Sequence, residues 1–357
     1  MTNWLRKGLL SVSALLVAFS VAPLTAEPVA PAWMDEPEQA AGERRIVAIG
    51  DLHGDHAAFR AIVEAAGLVD GNGAWIGGYS ILVQTGDVPD RGPDTLLILR
   101  DLMRLQGEAA LTGGAVIPLI GNHEAMNVVG DLRYVHEGEY AAFRTDGSER
   151  ARRQFYRDNQ DLIERAYRRM QADLSEDQIR RLWLRNTPLG GAELMDAFGP
   201  DGEIGRWLAR NRAVALIDGT LFAHGGVSEL YSQLPITEIN SRVATAIVRR
   251  DNGSESILFD PMGPLWYRGY FLRGSGDDLS LLPPEEAQPE VDLVLAAYGA
   301  DRMVVGHTPS LGGIRILLDG RLIGIDTGIS AHYGGVRSYL EISGDTVVAH
   351  VVGEGNP

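Results

Sequence analysis

Between Arg45 and Gly121 short apolar runs alternate with amphipathic stretches, and each run stops within two residues of a glycine. Arg45 to Gly50 has the continuous apolar character of a buried strand, after which Phe59, Ile62, Val63 and Ala66 recur at helical spacing. Ile81 to Gln84 repeats the strand signal and Asp94 to Gln106 the helical one, with Pro93 suited to a first helical position. Val116 to Ile120 supplies a third strand. This order predicts parallel neighbours in an α/β fold, with polar chemistry gathered at the carboxyl ends of the strands.

From Ala125 to Asp218 the pattern turns helical. Arg150 to Leu174 carries dense mixed charge, and Ser175 followed by Gln178 reads as a capping box that opens a helix to about Arg185. The arginines of this stretch, among them Arg152, Arg153, Arg168, Arg169, Arg180 and Arg181, either pair with the interleaved acids on solvated faces or guide an anionic substrate. From Ala213 onward the chain reads mainly as β. Ala213 to Ile217 and Thr220 to Ala223 flank Asp218-Gly219, a hairpin signal. Arg302 to Val305, Ile314 to Leu318 turning at Asp319-Gly320 into Leu322 to Ile325, and the runs Ser338 to Ile342 and Thr346 to Val351 complete the strands.

Where these runs end, five strings recur: G-D-L-H-G-D at Gly50, G-D-V-P-D-R-G at Gly86, G-N-H-E at Gly121, H-G-G at His224 and G-H-T at Gly306. Each sets a carboxylate, amide oxygen or imidazole beside a glycine, where a missing side chain allows close approach. Asp51 and His53 can face one ion, and Asp87 can bridge it to a second that Asn122, His224 and His307 complete. Two ions about 3.5–4 Å apart can brace the attacking and leaving oxygens of an in-line phosphoryl displacement. His123, offset by one from Asn122, suits a general acid, with Asp90 to hold its tautomer, and Arg91 is the phosphate clamp.

Composition narrows this picture. The formal charge of -16 opposes general nucleic-acid binding. There is no cysteine, hence no thiolate ligand, and Lys7 is the only lysine, so any phosphate clamp in the mature protein is a guanidinium. Arg6 and Lys7, the apolar run Gly8 to Val21 and Leu24-Thr25-Ala26 read as a signal peptide cleaved after Ala26, with a retained anchor as the alternative. The expectation is a periplasmic or secreted bacterial protein without stable membrane insertion after cleavage. Residues 27–44 form an aperiodic lead-in, and 45–357 one domain with a helical insertion at about 125–212.

In order and spacing these motifs resemble the phosphoprotein phosphatase superfamily, which has the calcineurin-like metallophosphoesterase fold. Gly263-Pro264-Leu265-Trp266-Tyr267-Arg268 and Ile325-Asp326-Thr327-Gly328-Ile329-Ser330 are similar to the branch called Shewanella-like protein phosphatases. The resemblance implies a central β-sandwich of two mixed sheets flanked by helices, and manganese, or iron with zinc, as the ion pair. It gives the first ion to Asp51, His53 and Asp87, and the second to Asp87, Asn122, His224 and His307. It makes His123 with Asp90 the acid dyad and Arg268 a second phosphate-binding arginine beside Arg91, and sets Asn122 in the substrate-binding group. Tyr333 lies where the family has an aromatic near the site, and Pro89 departs from the valine usual in eukaryotic serine/threonine enzymes.

The branch is associated with phosphotyrosine, so the expected activity is a phosphomonoesterase acting on phosphoproteins. The alternative is a nucleotide or small-metabolite phosphohydrolase, such as a dinucleoside polyphosphatase. Gly306-His307-Thr308-Pro309 lacks the second histidine of the G-H-x-H string common in neighbouring diesterases, which favours monoesters. A catalytically silent binding module is the third reading, opposed by the complete ligand set. The segment Gly274 to Glu290 and the helical insertion are the candidates for shaping substrate access.

Overall fold

The structure, a computed structural model, describes residues 44–274 and 278–353. The expected signal peptide and most of the lead-in lie outside the described residues. The chain opens with β1 (Ile46–Ile49), α1 (His56–Ala65), β2 (Ile81–Gln84), α2 (Thr95–Leu111) and β3 (Ala115–Pro118). Seven helices follow, α3 (Asn122–Val129), α4 (Glu137–Phe143), α5 (Ser148–Asp158), α6 (Gln160–Met170), α7 (Glu176–Asn186), α8 (Gly191–Ala197) and α9 (Glu203–Leu208). Then come β4 (Val214–Ile217), β5 (Thr220–Ala223), α10 (Ile236–Arg249), β6 (Leu272–Arg273), β7 (Ser280–Leu281), α11 (Pro284–Tyr298), β8 (Arg302–Val305), β9 (Arg315–Leu317), β10 (Leu322–Gly324), β11 (Ser338–Ser343) and β12 (Thr346–Val351).

Two five-stranded mixed sheets, ordered β12-β11-β1-β2-β3 and β4-β5-β8-β10-β9, form the central sandwich. β1, β2 and β3 pair in parallel, as do β5, β8 and β10, while β11, β12, β4 and β9 add antiparallel edges. Both faces of the inner strands are covered, which is why they read as unbroken apolar runs. Ile46, Ala48, Ile81 and Val83 meet Phe222, Val304 and Ile323 between the sheets. Val47, Ile49 and Leu82 turn the other way, onto Phe59 and Ile62 of α1 and Ile98 and Leu102 of α2. Each such side chain, fully buried, stabilises the fold by about 1.5–3 kcal/mol.

Three boundaries differ from the sequence reading, each for a local reason. Pro93 precedes the N-cap of α2 rather than opening it, because the Asp94 amide is drawn to the Gly54 carbonyl at 3.0 Å and the helix starts only at Thr95. β3 ends at Pro118, since Leu119 leaves to form a parallel bridge with Arg212 towards the second sheet. The region after Ala213 is not mainly β, for it contains the two long helices α10 and α11. In α11 Pro284 stands at N1, where no intrahelical N–H is needed, and Pro289 lies inside the helix.

The helical insertion builds a small core of its own from Tyr156, Ile163, Tyr167, Ile179 and Trp183. Its helix α7 starts at the Ser175 and Gln178 capping box, in which the two residues exchange backbone and side-chain bonds at 3.3 and 2.8 Å. Arg152 and Arg153 pair with Glu149 and Arg168 pairs with Glu164, so three of the expected arginines are held on their own helices. Arg169, Arg180 and Arg181 are exposed. Among the described residues no helix is long and apolar enough to cross a membrane. Of the Gly274 to Glu290 segment, residues 275–277 lie outside the described residues. Its end begins α11, where Glu290 accepts the Tyr267 hydroxyl at 2.5 Å.

Candidate metal centre

The expected ligands stand just past strand ends, on both sheets. Asp51 follows β1, Asp87 follows β2, Asn122 opens α3 after β3, His224 comes directly after β5 and His307 after β8. One bond stitches the sheets together there, between His224 Nδ1 and the Thr85 carbonyl at 2.8 Å, while the Gly306 amide donates to the His224 carbonyl at 2.8 Å within the second sheet. Among the described residues nine non-glycine residues have positive φ, and five of them, His53, Asp87, Asp90, Arg91 and His307, belong to this region. Such conformations cost about 1–3 kcal/mol each and persist only where surrounding contacts impose them. A Cβ on Gly121 would strike Asp87 Oδ1 and one on Gly306 would strike Asp51 Oδ1, so both glycines are required by close approach.

Two groups of buried side chains converge, His53, Asp87 and His123 in one and Asp87, His224 and His307 in the other, with ligand atoms within 4.8 Å of one another. In the second, His224 Nε2 lies 3.3 Å from Asp87 Oδ1, 2.9 Å from Asn122 Oδ1 and 3.1 Å from His307 Nδ1. Ligands at about 2.1 Å from one tetrahedral ion stand about 3.4 Å apart, close to these separations. In the first, His53 Nε2 and His123 Nε2 lie 3.7 and 3.8 Å from Asp87 Oδ2. Asp51 is in neither group, and both of its oxygens accept the His307 amide at 3.2 Å.

The donor set fits a cation. Carbonyls only accept, so Thr85 and Pro89 place a proton on Nδ1 of His224 and His53 and turn each Nε2 towards Asp87. Burial pushes His53 down to about 3, and burial, then His224 and Arg268, hold His307 well below the usual range. His307 Nε2 is buried without a hydrogen-bond partner, which leaves Nδ1 as its working nitrogen. Burial opposes charge on His224, yet Asp87 and Asp51 push it up to about 10, a sign of how strongly the centre attracts positive charge. Burial likewise opposes ionisation of Asp87, but His224 and His123 hold its carboxyl well below the usual range. Asp51 goes the other way, raised by burial and by the neighbouring Asp326. Lone pairs and carboxylates so aimed at one another repel unless a cation lies between them.

His123 differs from His53 and His224 in the partner of its Nδ1. Its Nδ1 meets the Asp90 Oδ2 carboxylate oxygen rather than a backbone carbonyl, and despite burial Asp87 and Asp90 raise its pKa. Asp90 is fully buried, and its second oxygen accepts Asn127 Nδ2 at 3.0 Å. Arg91 stacks its guanidinium 3.8 Å above the Tyr134 ring and keeps a buried Nε without a partner. Arg268 donates to the His307 carbonyl at 2.7 Å, and the Tyr333 ring lies 5.3 Å from that of His53.

Several residues of the centre escaped the sequence reading. Glu124 is buried and accepts the amides of Asp87, Val88 and Gly121 at 3.0, 2.8 and 2.8 Å, with burial and then Asp87 pushing its carboxyl up to about 7. Its signal was present, since it stands at the capping-box position of α3. Asp326 stood in the quoted Ile325 to Ser330 string without a role assigned to it, and Asn127 and Tyr134 had no signal, because an isolated amide or aromatic carries no spacing rule.

Residues 44–311 match the calcineurin-like phosphoesterase family. An uncharacterised protein of Schizosaccharomyces pombe is 32% identical over 84% of this chain and 77% of its own length. Shewanella-like protein phosphatase 2 of Arabidopsis thaliana is 31% identical over 85% of this chain and 76% of its own. Among solved structures, the cold-active protein-tyrosine phosphatase of a psychrophilic Shewanella species aligns with a TM-score of 0.61 at 25% identity, covering 87% of this chain and 81% of that one.

Proposed function

This chain belongs to the calcineurin-like phosphoesterase family, and from that premise we propose that it is a metal-dependent phosphomonoesterase of phosphoproteins that prefers phosphotyrosine. The observation that carries the reading is the buried His123 and Asp90 pair set beside the carboxylate and imidazole centre, with Arg91 near His123 and Arg268 bonded to the His307 carbonyl. His53 and Asp87, with Asp51 beside them, would hold one ion, and Asp87, Asn122, His224 and His307 the other. Manganese, or iron with zinc, suits an all-nitrogen and oxygen set. When bound, the pair supplies a nucleophile at neutral pH and neutralises charge on the phosphoryl oxygens.

The chain's own groups do the rest. Arg91 and Arg268 grip and orient the dianion, and the stacking on Tyr134 fixes the Arg91 guanidinium in direction. His123 delivers its Nε2 proton to the departing oxygen, and Asp90 keeps the other ring proton on Nδ1 throughout. Tyr134 and Tyr333 border the site with aromatic surface, which suits an aryl ester. The names of the plant and Shewanella relatives support a protein substrate and, for the latter, tyrosine.

Phosphotyrosine, phosphoserine and phosphothreonine peptides and a dinucleoside polyphosphate, assayed side by side with manganese, test this. Fastest turnover of the phosphotyrosine peptide is expected. Faster cleavage of the polyphosphate overturns the protein-phosphatase reading. We further infer export through the Arg6 to Ala26 segment, for which the test is an amino terminus at Glu27 on protein recovered outside the cytoplasm.

A further inference from the structure

The last residue of the G-D-L-H-G-D string, Asp55, has a second use. Its Oδ1 accepts the Ala58 amide at 2.8 Å and so caps α1. Its Oδ2 accepts the amide of Ala331 at 3.0 Å, 276 positions further along the chain. Ala331 begins the loop that carries Tyr333. The other backbone amides of that loop close within it: His332 donates to Ser330 Oγ at 3.1 Å, Tyr333 and Gly334 to the Ser330 carbonyl at 2.9 and 3.0 Å, and Gly335 to the Gly328 carbonyl at 2.9 Å. The turn is therefore stiff in itself, and the Asp55 carboxylate is the hydrogen-bonded strap from it to the string that holds His53.

We propose that Asp55 is a positioning residue for substrate, holding the 330–335 loop so that the Tyr333 ring stays against His53 at the mouth of the centre. A carboxylate suits this task where a single hydroxyl does not, because the cap consumes one oxygen and the strap needs another. The hydrogen bond is charge-assisted and spans the two parts that must keep a fixed distance, the metal-side turn and the aromatic wall. Releasing it frees the wall and leaves α1 and the centre's ligands in place. The inference rests on Tyr333 being a substrate contact.

The test compares Asp55→Asn, Asp55→Ser and Tyr333→Ala, singly and with Asp55→Ser combined with Tyr333→Ala, in the manganese-loaded protein. Asparagine and serine both cap helices as well as aspartate does, but neither has a second acceptor oxygen to place opposite the Ala331 amide. With a phosphotyrosine peptide, KM is expected to rise about tenfold in Asp55→Ser with kcat changed less than about twofold. The double variant is expected to show the KM of Tyr333→Ala alone. Hydrogen exchange adds a readout independent of turnover, and the 330–335 segment is expected to lose protection in Asp55→Ser and Asp55→Asn while α1 keeps its own.

Unchanged exchange in the 330–335 segment, or KM effects that multiply in the double variant, overturns the proposal. A fall in kcat with lost manganese assigns Asp55 to the metal-side turn and also overturns it. If exchange changes as expected but Tyr333→Ala leaves KM unaltered, the strap exists and the substrate role of Tyr333 fails, which overturns the positioning role. A parent protein that turns over no phosphoester sinks the functional reading instead.

Discussion

Replacing Asp90 with asparagine isolates the acid dyad, because the shape of the side chain is kept and only charge and hydrogen-bond sense change. Asn127 Nδ2 donates both to Asp90 Oδ1 and to the His123 carbonyl, each at 3.0 Å, and a carbonyl can only accept, so the Asn127 amide cannot turn over. In Asp90→Asn the new carbonyl oxygen therefore stays towards Asn127 and the new NH2 faces His123 Nδ1. That forces the imidazole into the tautomer with its proton on Nε2, and without the Asp90 charge the buried ring loses part of what raises its pKa. A hydrogen bond to a charged partner contributes about 1.5–3 kcal/mol, and its loss lowers the ring's pKa accordingly. The acid form is then less populated than in the parent, and general acid catalysis is worth about 10²–10⁴-fold. An alkoxide leaving group needs that proton far more than a phenolate of pKa about 10. The assay is kcat for phosphoserine and phosphotyrosine peptides with manganese at pH 6 and 7.5. Phosphoserine turnover is expected to fall about 10²-fold or more, phosphotyrosine at least tenfold less, with partial recovery at the lower pH. Equal losses on both substrates, or none on either, refute the leaving-group role of His123.

Arg268→Ala is expected to lower kcat/KM by about 10²–10³-fold, with little rescue by Arg268→Lys because an ammonium cannot reproduce the guanidinium fork; a loss under threefold contradicts a phosphate clamp. Glu124→Gln leaves at least one of three buried amides facing an NH2, so urea unfolding should show a loss of about 1–3 kcal/mol, and parent-like stability contradicts the assigned bonds. Burial, then Asp90, raises Glu139 from 4.5 to about 8, so the folded state binds the proton more tightly than the unfolded one. Its contribution is fully present below 4.5 and is lost as pH rises through about 8, and Glu139→Gln should flatten the decline of stability across that window in urea melts at pH 5 and 8.5. An unaltered slope contradicts it.

Much of the sandwich was legible because β1 and β2 are buried on both faces and each ends at a glycine string, so apolar run and polar turn mark the same boundary. His224 was equally legible, following the Asp218-Gly219 hairpin directly. α10 was missed although Ile239, Val243, Ala246 and Ile247 keep helical spacing and are buried, and α11 was masked by Pro284 and Pro289. The ligand types could be read from local spacing, but their partners could not. Asp55 to Ala331, His224 to Thr85 and Asp51 to His307 are contacts between distant segments, and only the packing of one sheet against the other decides them. The separation of Asp51 from both three-residue groups belongs to the same class.

Metal stoichiometry and turnover measured on the same sample test the central assignment most directly. The parent protein, stripped and dialysed against manganese, is expected to bind two ions per chain and to hydrolyse an aryl phosphate only when loaded. Asp87, which joins both groups, is expected to be indispensable, so Asp87→Ala should lose high-affinity binding at both positions together with all turnover. Hydrolysis by the stripped protein, or two ions retained in Asp87→Ala, contradicts a centre built around that carboxylate.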